Sequence, residues 1–570
     1  MGSEMGSDVL IIGAGSAGSV LANRLSADPS RRVTVLEAGE RVTDPEMRRP
    51  ELWPFIHGRS YDWAYRTTPQ KGLAGRSLDW ARGKGPGGSS LVHAMAHMRG
   101  TRADFDRWVD ATGDDRWSWD ALLPSFIRSE TFSGGASDVH GDSGPLPVLL
   151  PGPDLSSPLV LDYLAAWEAL GVPRIPDHNG GEMLGATPNS LTIRDGERVT
   201  VADVYLDPVR DRPNLSVVTG VTVHRLLFSR GRVTGVAVTR DGRDEVIEAD
   251  EVILCGGSIG DPLLLMRSGV GDPEVLAAAG VETVLESPEV GRNLHDHLLG
   301  AGNLYSSRIP VPPSRLQLSE SMTYLSKDGW ERTSGAADIV VGLVVGPSAS
   351  ESFVSEAAHV APGSGYTLLF GVTNPTSRGS LRISGPDIDD EPIIDPNYLE
   401  TEHDREMFRL ALEHARMVGR SDELARWRDA EVLPGPSVST PDEMDAFIAH
   451  AAITHHHPVG TLRMGRTDDA PVTPDLRFRG IEGLHVVDAA VIPSITAGPI
   501  HASVLAIAES FASSGPVGRR LRRRRDAGDP IMESRGRHAG ARHGRHLCRC
   551  SSMKRHLGAD CGCSSGHNYR

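Results

Sequence analysis

Runs of apolar and polar positions divide the first forty residues into a strand, a turn, a helix and a second strand. The apolar run at residues 8–12 has the length of a buried strand, and residues 19–28 (SVLANRLSAD) space their apolar positions as a helix does. A glycine-rich turn joins the two, and residues 31–40 (RRVTVLEAGE) form a second apolar strand that ends at Glu37. This order predicts a parallel α/β unit.

The spacing of apolar positions predicts further strands and helices along the chain. Residues 214–240 (NLSVVTGVTVHRLLFSRGRVTGVAVTR) and 380–384 (SLRIS) alternate apolar and polar positions, which predicts strands. Residues 405–419 (REMFRLALEHARMVG) and 441–452 (PDEMDAFIAHAA) carry apolar positions at helical spacing. The chain contains no run of about 18 apolar residues and no basic segment before its first apolar run. We therefore expect a cytoplasmic protein without a membrane span or a signal peptide.

The first turn carries glycine at positions 13, 15 and 18. Glycine is needed at such a turn for its backbone angles and for close approach to a pyrophosphate, and the N-terminus of the following helix then faces the phosphates with free N–H groups. Glu37 lies 19 residues after Gly18, near the spacing of an acid that binds a ribose hydroxyl. Its charge would repel a 2′-phosphate, so the turn predicts FAD or NAD and disfavours NADP.

A second glycine cluster, GKGPGGSS at residues 83–90, supplies bare backbone and hydroxyl groups suited to a phosphate or a flavin edge. Four more segments follow it: EVILCGGSIGDPLLLMRSGVG (251–271), EVGRNLHDHLLG (289–300), HHPVGTLRMG (456–465) and LHVVDAAVIPSITAGPIHASVLAIAE (484–509). In this order the five segments resemble the glucose–methanol–choline (GMC) family of FAD-dependent oxidoreductases, over nearly all of residues 5–512.

The resemblance implies an α/β fold in which a Rossmann-like FAD-binding domain is joined to a substrate domain built on an antiparallel sheet. The FAD-binding domain would comprise residues 5–150, 195–300 and 450–514. The substrate domain would comprise residues 151–194 and 301–449. Residues 515–570 are rich in Arg, His, Ser and Gly, and we expect them to form a disordered basic tail.

The resemblance also implies which residues contact FAD. Besides the first turn and Glu37, they are Gly87, Gly88 and Ser89 beside the flavin and pyrophosphate, Val223 at the adenine, Asp488 and Ala489 near the pyrophosphate and ribityl chain, and His93. Val223 could equally be a plain core residue. Some family members attach FAD covalently to a histidine, but that position falls on Val92 here, so we expect non-covalent FAD and a hydrogen-bonding or packing role for His93.

Oxidation of a primary alcohol removes a proton from oxygen and a hydride from carbon, and histidine is the side chain whose ordinary pKa best suits the base. The family places this base before a Val-Gly-Thr segment, which makes His457 the expected base and His501 its expected partner. Two alternatives stay open. Pro499 could face the flavin ring and displace His501, and His455 would share a face with His457 in an extended segment, with His456 turned away.

The histidines of ITHHHPVGT (453–461) have two other interpretations. Consecutive histidines can bind zinc or nickel, but neighbours in a strand face opposite ways and no carboxylate or cysteine cluster accompanies them. A polar surface loop is the other interpretation. Four of the five cysteines lie in the C-terminal tail as CxC pairs, which lack the usual zinc spacing. We therefore expect no metal.

Charge bears on the partners. The chain has 59 Lys and Arg against 75 Asp and Glu, and residues 519–570 hold 14 of the basic residues but only four of the acidic ones. The rest of the chain is strongly acidic, so phosphate repulsion argues against a nucleic-acid partner. We expect a small-molecule alcohol as substrate, dioxygen as acceptor, and a monomer or small homo-oligomer.

Three segments of the expected substrate domain, residues 181–206, 302–325 and 374–399, resemble GMC members that oxidise pyridoxine. The resemblance thus implies an alcohol oxidase that converts a primary hydroxymethyl group, foremost that of pyridoxine, to an aldehyde while dioxygen becomes hydrogen peroxide. Another (hetero)aromatic or specialised-metabolite alcohol, a quinone or dye acceptor, and an FAD-containing lyase of the same fold stay open. A nicotinamide-linked dehydrogenase would leave the later motifs without a role.

Overall fold

The computed structural model describes residues 7–328 and 335–514. The strands of its two large sheets are β1 (Ser7–Ile12), β2 (Val33–Leu36), β3 (Leu215–Val218), β4 (Val221–Ser229), β5 (Arg232–Arg240), β6 (Arg243–Leu254), β7 (Leu298–Ser307), β8 (Ser319–Leu325), β9 (Ile339–Val344), β10 (Gly365–Val372), β11 (Arg428–Leu433), β12 (Ala452–Thr454) and β13 (Leu484–Val486). The helices are α1 (Ser16–Leu25), α2 (Arg102–Thr112), α3 (Trp119–Ser129), α4 (Pro158–Ala169), α5 (Gly257–Arg267), α6 (Pro273–Ala278), α7 (Val354–Ala357), α8 (Glu402–Gly419), α9 (Pro441–Ala451) and α10 (His501–Ser514). Shorter strands lie at Tyr65–Arg66, Asp79–Trp80, Glu130–Phe132, Leu146–Val148, Gly185–Pro188, Ile193–Arg194, Glu197–Arg198, Val270–Gly271, Leu285–Glu286, Ser380–Arg382 and Ile393–Asp395.

The first sheet combines a parallel part with an antiparallel part. Its strand order is β3-β2-β1-β6-β5-β4, and β13 pairs with β6. The pairs that link β3, β2, β1, β6 and β13 are parallel, whereas β4, β5 and β6 pair antiparallel. β1 and β2 are apolar and buried, as strands inside a parallel sheet are. Because parallel strands end at one edge, the residues after β1 and β2, Gly13 and Glu37, meet there.

The second sheet is antiparallel, with the order β8-β9-β10-β7-β11 and β12 paired with β7. Leu298 at the start of β7 pairs with Thr454 at the end of β12. The residues just before Leu298 and just after Thr454 therefore lie side by side. This pairing brings His297 next to the histidine run at 455–457.

The strands and helices predicted from the spacing of apolar positions are confirmed. Residues 214–240 contain β3, β4 and β5, and residues 405–419 lie within α8. The segment 441–452 corresponds to α9, and 380–384 begins with the strand Ser380–Arg382. The α/β class with a second, antiparallel sheet is confirmed as well.

Two expectations about the extent of the domains have a different status. The domain boundaries stay a prediction, and the expected basic tail at residues 515–570 lies outside the described residues.

None of the described helices combines the length and apolar character that crossing a bilayer requires.

Candidate active site

The two glycine-rich turns pack against each other at the edge of the first sheet. Gly87 donates its N–H to the Ala14 carbonyl at 2.8 Å, and a Cβ placed on Gly88 would lie 2.6 Å from the Gly15 Cα. A side chain on Gly88 would force the turns apart. Bare backbone is therefore a condition of this contact, which unites two segments more than seventy residues apart.

Both turns line one cavity of about 1310 Å³. Gly13, Gly15, Gly88 and Ser89 are in its wall, whereas Gly18 is not. Gly18 instead holds α1 against the first turn, since a Cβ there would lie 1.9 Å from the Gly13 carbonyl oxygen. Gly87 likewise lies behind the wall. Of the expected cofactor glycines, these two support the turns and do not face the cavity.

Glu37 lines the cavity at the end of β2. One of its carboxylate oxygens accepts the Ala14 N–H at 2.8 Å and the other accepts the Gly39 N–H at 3.0 Å. Burial raises the pKa of Glu37, and these backbone N–H groups oppose that rise. A carboxylate has about four lone-pair sites, more than the backbone N–H groups occupy, so Glu37 can still accept a hydrogen bond from a ligand hydroxyl.

Val223, Asp488 and Ala489 also lie in the cavity wall. Val223 belongs to β4 and is partly buried. Asp488 directs its carboxylate to the backbone, accepting N–H groups of Gly257 at 2.5 Å and Ala490 at 2.8 Å. Asp488 therefore orders the turn at Ala489–Val491 after β13 and the start of α5 as well as facing the cavity.

A second carboxyl group, Asp261 of α5, lies against Asp488 and was not anticipated from the sequence. It lines the same cavity, is 1% exposed, and accepts the Gly256 N–H at 2.8 Å. Burial raises the pKa of both carboxyl groups, that of Asp261 well above its usual range. Two adjacent buried carboxyl groups cannot both ionise readily, so the pair retains a proton.

His93 faces the cavity from the segment after the second turn. Its Nδ1 accepts the Met95 N–H at 3.1 Å and an Arg198 N–H at 3.0 Å. Both partners are donors, so Nδ1 is unprotonated and Nε2 carries the proton. The structure thus gives His93 a hydrogen-bonding role, as the sequence suggested.

The histidine run at 455–457 enters the cavity wall directly after β12. His456 has φ of 61°, a left-handed conformation, and its N–H donates to the Thr454 hydroxyl at 2.8 Å. Arg82 donates to the His456 carbonyl. The expectation of a simple extended segment is therefore wrong, although the rings of His455 and His457 do lie together, with centroids 4.3 Å apart.

His456 turns its ring away from that pair. It contacts His57 edge-on, with ring centroids 5.0 Å apart. The separation of His456 from its neighbours that alternation predicted is thus present, but a left-handed residue produces it. The backbone N–H of His457 donates to Asp296 at 2.6 Å, which fixes the segment from the other side.

The direct hydrogen-bond partner of His457 is His297. Their Nδ1 atoms are 3.0 Å apart, and Nε2 of His297 lies 2.8 Å from the Thr373 carbonyl. Sequence reasoning missed His297, although it lies in the motif EVGRNLHDHLLG. The signal was a second histidine in a segment already assigned to the family, and only the β7–β12 pairing shows where it points.

His501 and Pro499 line the cavity as well. His501 begins α10, and its ring contacts His93 with centroids 4.9 Å apart. Among the described residues neither ring nitrogen of His501 has a hydrogen-bond partner, and burial lowers its pKa to about 3. The structure therefore places His501 beside His93 in the same cavity wall as His457, and its expected role as the partner of His457 stays a prediction.

His297, His455 and His457 are also close enough to hold a metal ion, since one ring nitrogen from each lies within 4.8 Å of the others. In the structure the Nδ1 atoms of His297 and His457 are hydrogen-bonded to each other. The absence of a metal stays a prediction.

Comparison with known proteins identifies the family. A model of the GMC oxidoreductases matches residues 7–299, and a second model of the same family matches residues 375–508. The chain belongs to the GMC oxidoreductase family. It is an oxidoreductase acting on CH–OH groups, with FAD as its cofactor.

Individual relatives of this GMC oxidoreductase cover nearly the whole of its described part. It is 54% identical to the pyridoxine 4-oxidase of Microbacterium luteolum over 507 residues, 89% of this chain and 99% of that protein. It is 34% identical to the oxygen-dependent choline dehydrogenase of Ectopseudomonas mendocina (strain ymp), over 89% of this chain and 93% of the other. The crystal structure of pyridoxine 4-oxidase from Mesorbium loti matches with a TM-score of 0.86 and 54% identity, over 89% and 98% of the two chains. A formate oxidase variant from Aspergillus oryzae RIB40 matches with a TM-score of 0.81 and 26% identity, over 90% and 98%.

The residues of this GMC oxidoreductase fit FAD. The N-terminus of α1 faces the cavity through Ser16 and Ala17, and no side chain caps it. Its free N–H groups suit a pyrophosphate, and the glycine contacts described above leave room for one. The cavity then continues from Glu37 to His457 and Pro499, so one ligand can extend from the turn to the histidines.

Proposed function

We propose that this GMC oxidoreductase is an alcohol oxidase that converts the 4-hydroxymethyl group of pyridoxine to the aldehyde and reduces dioxygen to hydrogen peroxide. The observation that supports it most is that one cavity joins the glycine turns to His455, His457 and Pro499. The substrate is proposed from the relatives named pyridoxine 4-oxidase, which are 54% identical to this chain over nearly their full length.

FAD, when bound, accepts the hydride that leaves the carbinol carbon. The protein must take the hydroxyl proton, and we assign this step to His457. Burial, followed by the nearby His455 and His297, lowers the pKa of His457 well below its ordinary value, so the imidazole is neutral at pH 7 and can accept a proton. His455, whose pKa burial lowers to about 3, is also neutral and can accept a hydrogen bond from a second substrate group.

Part of the cavity wall is apolar. Met322, Leu299 and Leu369 belong to the second sheet and line it together with Pro499. Such a wall suits the flat face of an aromatic ring and excludes water from the reacting atoms. We infer that the substrate ring lies between this wall and the two histidines.

The test is to mix the FAD-loaded protein with pyridoxine without oxygen and follow the yellow flavin absorbance. We expect bleaching with pyridoxine, recovery of the colour when air is admitted, and formation of hydrogen peroxide. The matched control ligand is 4-deoxypyridoxine, which keeps the ring and the 5-hydroxymethyl group but lacks the reacting hydroxyl, and it should leave the colour unchanged. Bleaching by another alcohol but not by pyridoxine would contradict the substrate, and no bleaching by any alcohol would contradict the oxidase.

A second test concerns the base. Replacing His457 with Ala should slow flavin reduction by roughly 100- to 10,000-fold, the usual contribution of a positioned general base. The FAD content should be unchanged, because the hydrogen bonds of His457 go to Asp296 and His297 and not to the glycine turns. Turnover that survives within a few-fold would show that another group takes the proton.

A further inference from the structure

His297 lies at a position where the second sheet fixes its backbone. It precedes Leu298, the first residue of β7, and its carbonyl accepts the N–H of His455 at 2.9 Å. Its side chain is 4% exposed and lies behind the cavity wall, next to His457. Hence His297 does not meet a substrate in the cavity directly, and its hydrogen bond to His457 links it to the cavity wall.

The Thr373 carbonyl determines which nitrogen of His297 carries a proton. That carbonyl lies 2.8 Å from Nε2 of His297, and a carbonyl oxygen can only accept. Thr373 is itself held in place, since its N–H donates to the Asp338 carbonyl at 3.0 Å and its hydroxyl donates to the Ala337 carbonyl. Nε2 of His297 is therefore protonated, and in the neutral ring Nδ1 is bare.

The hydrogen bond to His297 in turn determines which nitrogen of His457 carries a proton. The two Nδ1 atoms are 3.0 Å apart, and a hydrogen bond between them needs one proton. Nδ1 of His297 is bare, so Nδ1 of His457 is the donor. A neutral His457 that is protonated on Nδ1 has a bare Nε2, which is the nitrogen free to take a proton in the cavity.

We propose that His297 is a positioning residue that sets the tautomer of His457, with the Thr373 carbonyl as the fixed end of the chain. The inference rests on the proposed role of His457 as the base. It extends that role by naming the reacting atom, Nε2, and the two groups that keep it unprotonated. In serine proteases, loss of the correct histidine tautomer likewise lowers kcat by about 10⁴-fold although the geometry is kept.

Two substitutions separate this role from a merely structural one. His297→Phe keeps a ring but has no acceptor, whereas His297→Asn offers an amide oxygen near the position of Nδ1. Both lose the bond to the Thr373 carbonyl, so structural damage should be similar in the two. We expect the limiting rate of anaerobic flavin reduction to fall by about 10- to 1000-fold in His297→Phe and to be largely restored in His297→Asn. We expect the FAD content and the substrate concentration for half-maximal rate to change by less than about threefold.

The outcome that would overturn the proposal is a His297→Phe rate within threefold of the unmodified protein, or equal losses in the two variants. The comparison uses whichever alcohol reduces the unmodified protein fastest. A wrong assignment of pyridoxine would therefore leave this test intact.

A direct readout of the tautomer does not depend on turnover. Ring nitrogens with and without a proton differ in ¹⁵N chemical shift, and the His457 signals of the FAD-loaded protein can be assigned by their loss in His457→Gln. We expect a protonated Nδ1 and a bare Nε2 in the unmodified protein, and a mixture of tautomers in His297→Phe. A protonated Nε2 in the unmodified protein would refute the proposal.

Discussion

Gly18→Ala is expected to weaken FAD binding, although Gly18 does not face the cavity. The new Cβ would lie 1.9 Å from the Gly13 carbonyl oxygen. The backbone fixes the positions of both atoms, so no side-chain rotation can relieve the contact. An ordinary contact needs about 3.4 Å, so α1 and the first turn must separate by about 1.5 Å. Overpacking of this kind lowers the free energy of unfolding by about 1–3 kcal/mol, and we expect the upper end because no flexible side chain can yield.

The displacement also moves the N-terminal N–H groups of α1 away from the position of the pyrophosphate. Loss of one hydrogen bond to a charged group amounts to about 1.5–3 kcal/mol, which corresponds to a dissociation constant roughly 10- to 150-fold higher. FAD titration of the stripped protein, followed by flavin fluorescence, measures this constant. Thermal unfolding with and without FAD measures the stability.

Gly152→Ala is the matched control for this prediction. Its Cβ would meet no atom within 4 Å, and Gly152 lies in an exposed loop. It should bind FAD as the unmodified protein does. If Gly18→Ala binds FAD with a dissociation constant within threefold of the control, the close approach of α1 to the turn does not govern cofactor binding and the reasoning fails.

Three further predictions follow from the described side chains. His455→Ala should slow flavin reduction more than His501→Ala, because the His455 ring lies 4.3 Å from that of His457 whereas His501 contacts His93; equal stopped-flow rates would contradict this. Glu130→Ala should lower the free energy of unfolding by about 3–5 kcal/mol, because it strands the fully buried Arg99 now 2.7 Å away; urea unfolding would show it, and a loss below 1 kcal/mol would count against it. Burial lowers the pKa of His178 to about 4, so below about pH 6.5 the unfolded chain binds a proton that the folded chain does not, and stability falls as the pH drops towards 4. In His178→Asn the free energy of unfolding should fall less steeply with decreasing pH, by up to about 1.4 kcal/mol per pH unit. Thermal melting curves between pH 7 and 4.5 measure this slope, and a slope equal to that of the unmodified protein would contradict the prediction.

The unit formed by β1, the first glycine turn and α1 was predictable because the residues that define it are close together in the sequence. β1, the turn and α1 follow one another within twenty residues, and each has its own period or glycine requirement. The contact between Gly15 and Gly88 was not predictable in the same way. The sequence marks both turns as glycine-rich, but only the fold of the chain between them brings the two Cα positions together.

The histidine site shows the same division between local and non-local information. Alternation along a strand predicted that His455 and His457 would lie together, and they do, but through the left-handed His456 that Arg82 and Thr454 hold in place. His297 lies 160 residues before His457, and its position depends on the register of β7 against β12. A period-2 pattern does not specify which strands pair, so this partner could not be read from the sequence.

The arrangement around His457 also bears on how long it can hold a proton. His457 is partly buried, His455 and His297 are close by, and the Arg82 cation further lowers its pKa. A neighbouring carboxylate, Asp296, bonds the backbone N–H of His457 and not its ring, and it also accepts from Tyr398 and Thr454. An imidazolium at His457 therefore lacks a direct counter-ion and is a strong acid in this site. Because the reduction of dioxygen to hydrogen peroxide consumes protons, a base that gives its proton back readily suits an oxidase, in which the proton taken from the alcohol is needed again in the second half of the cycle.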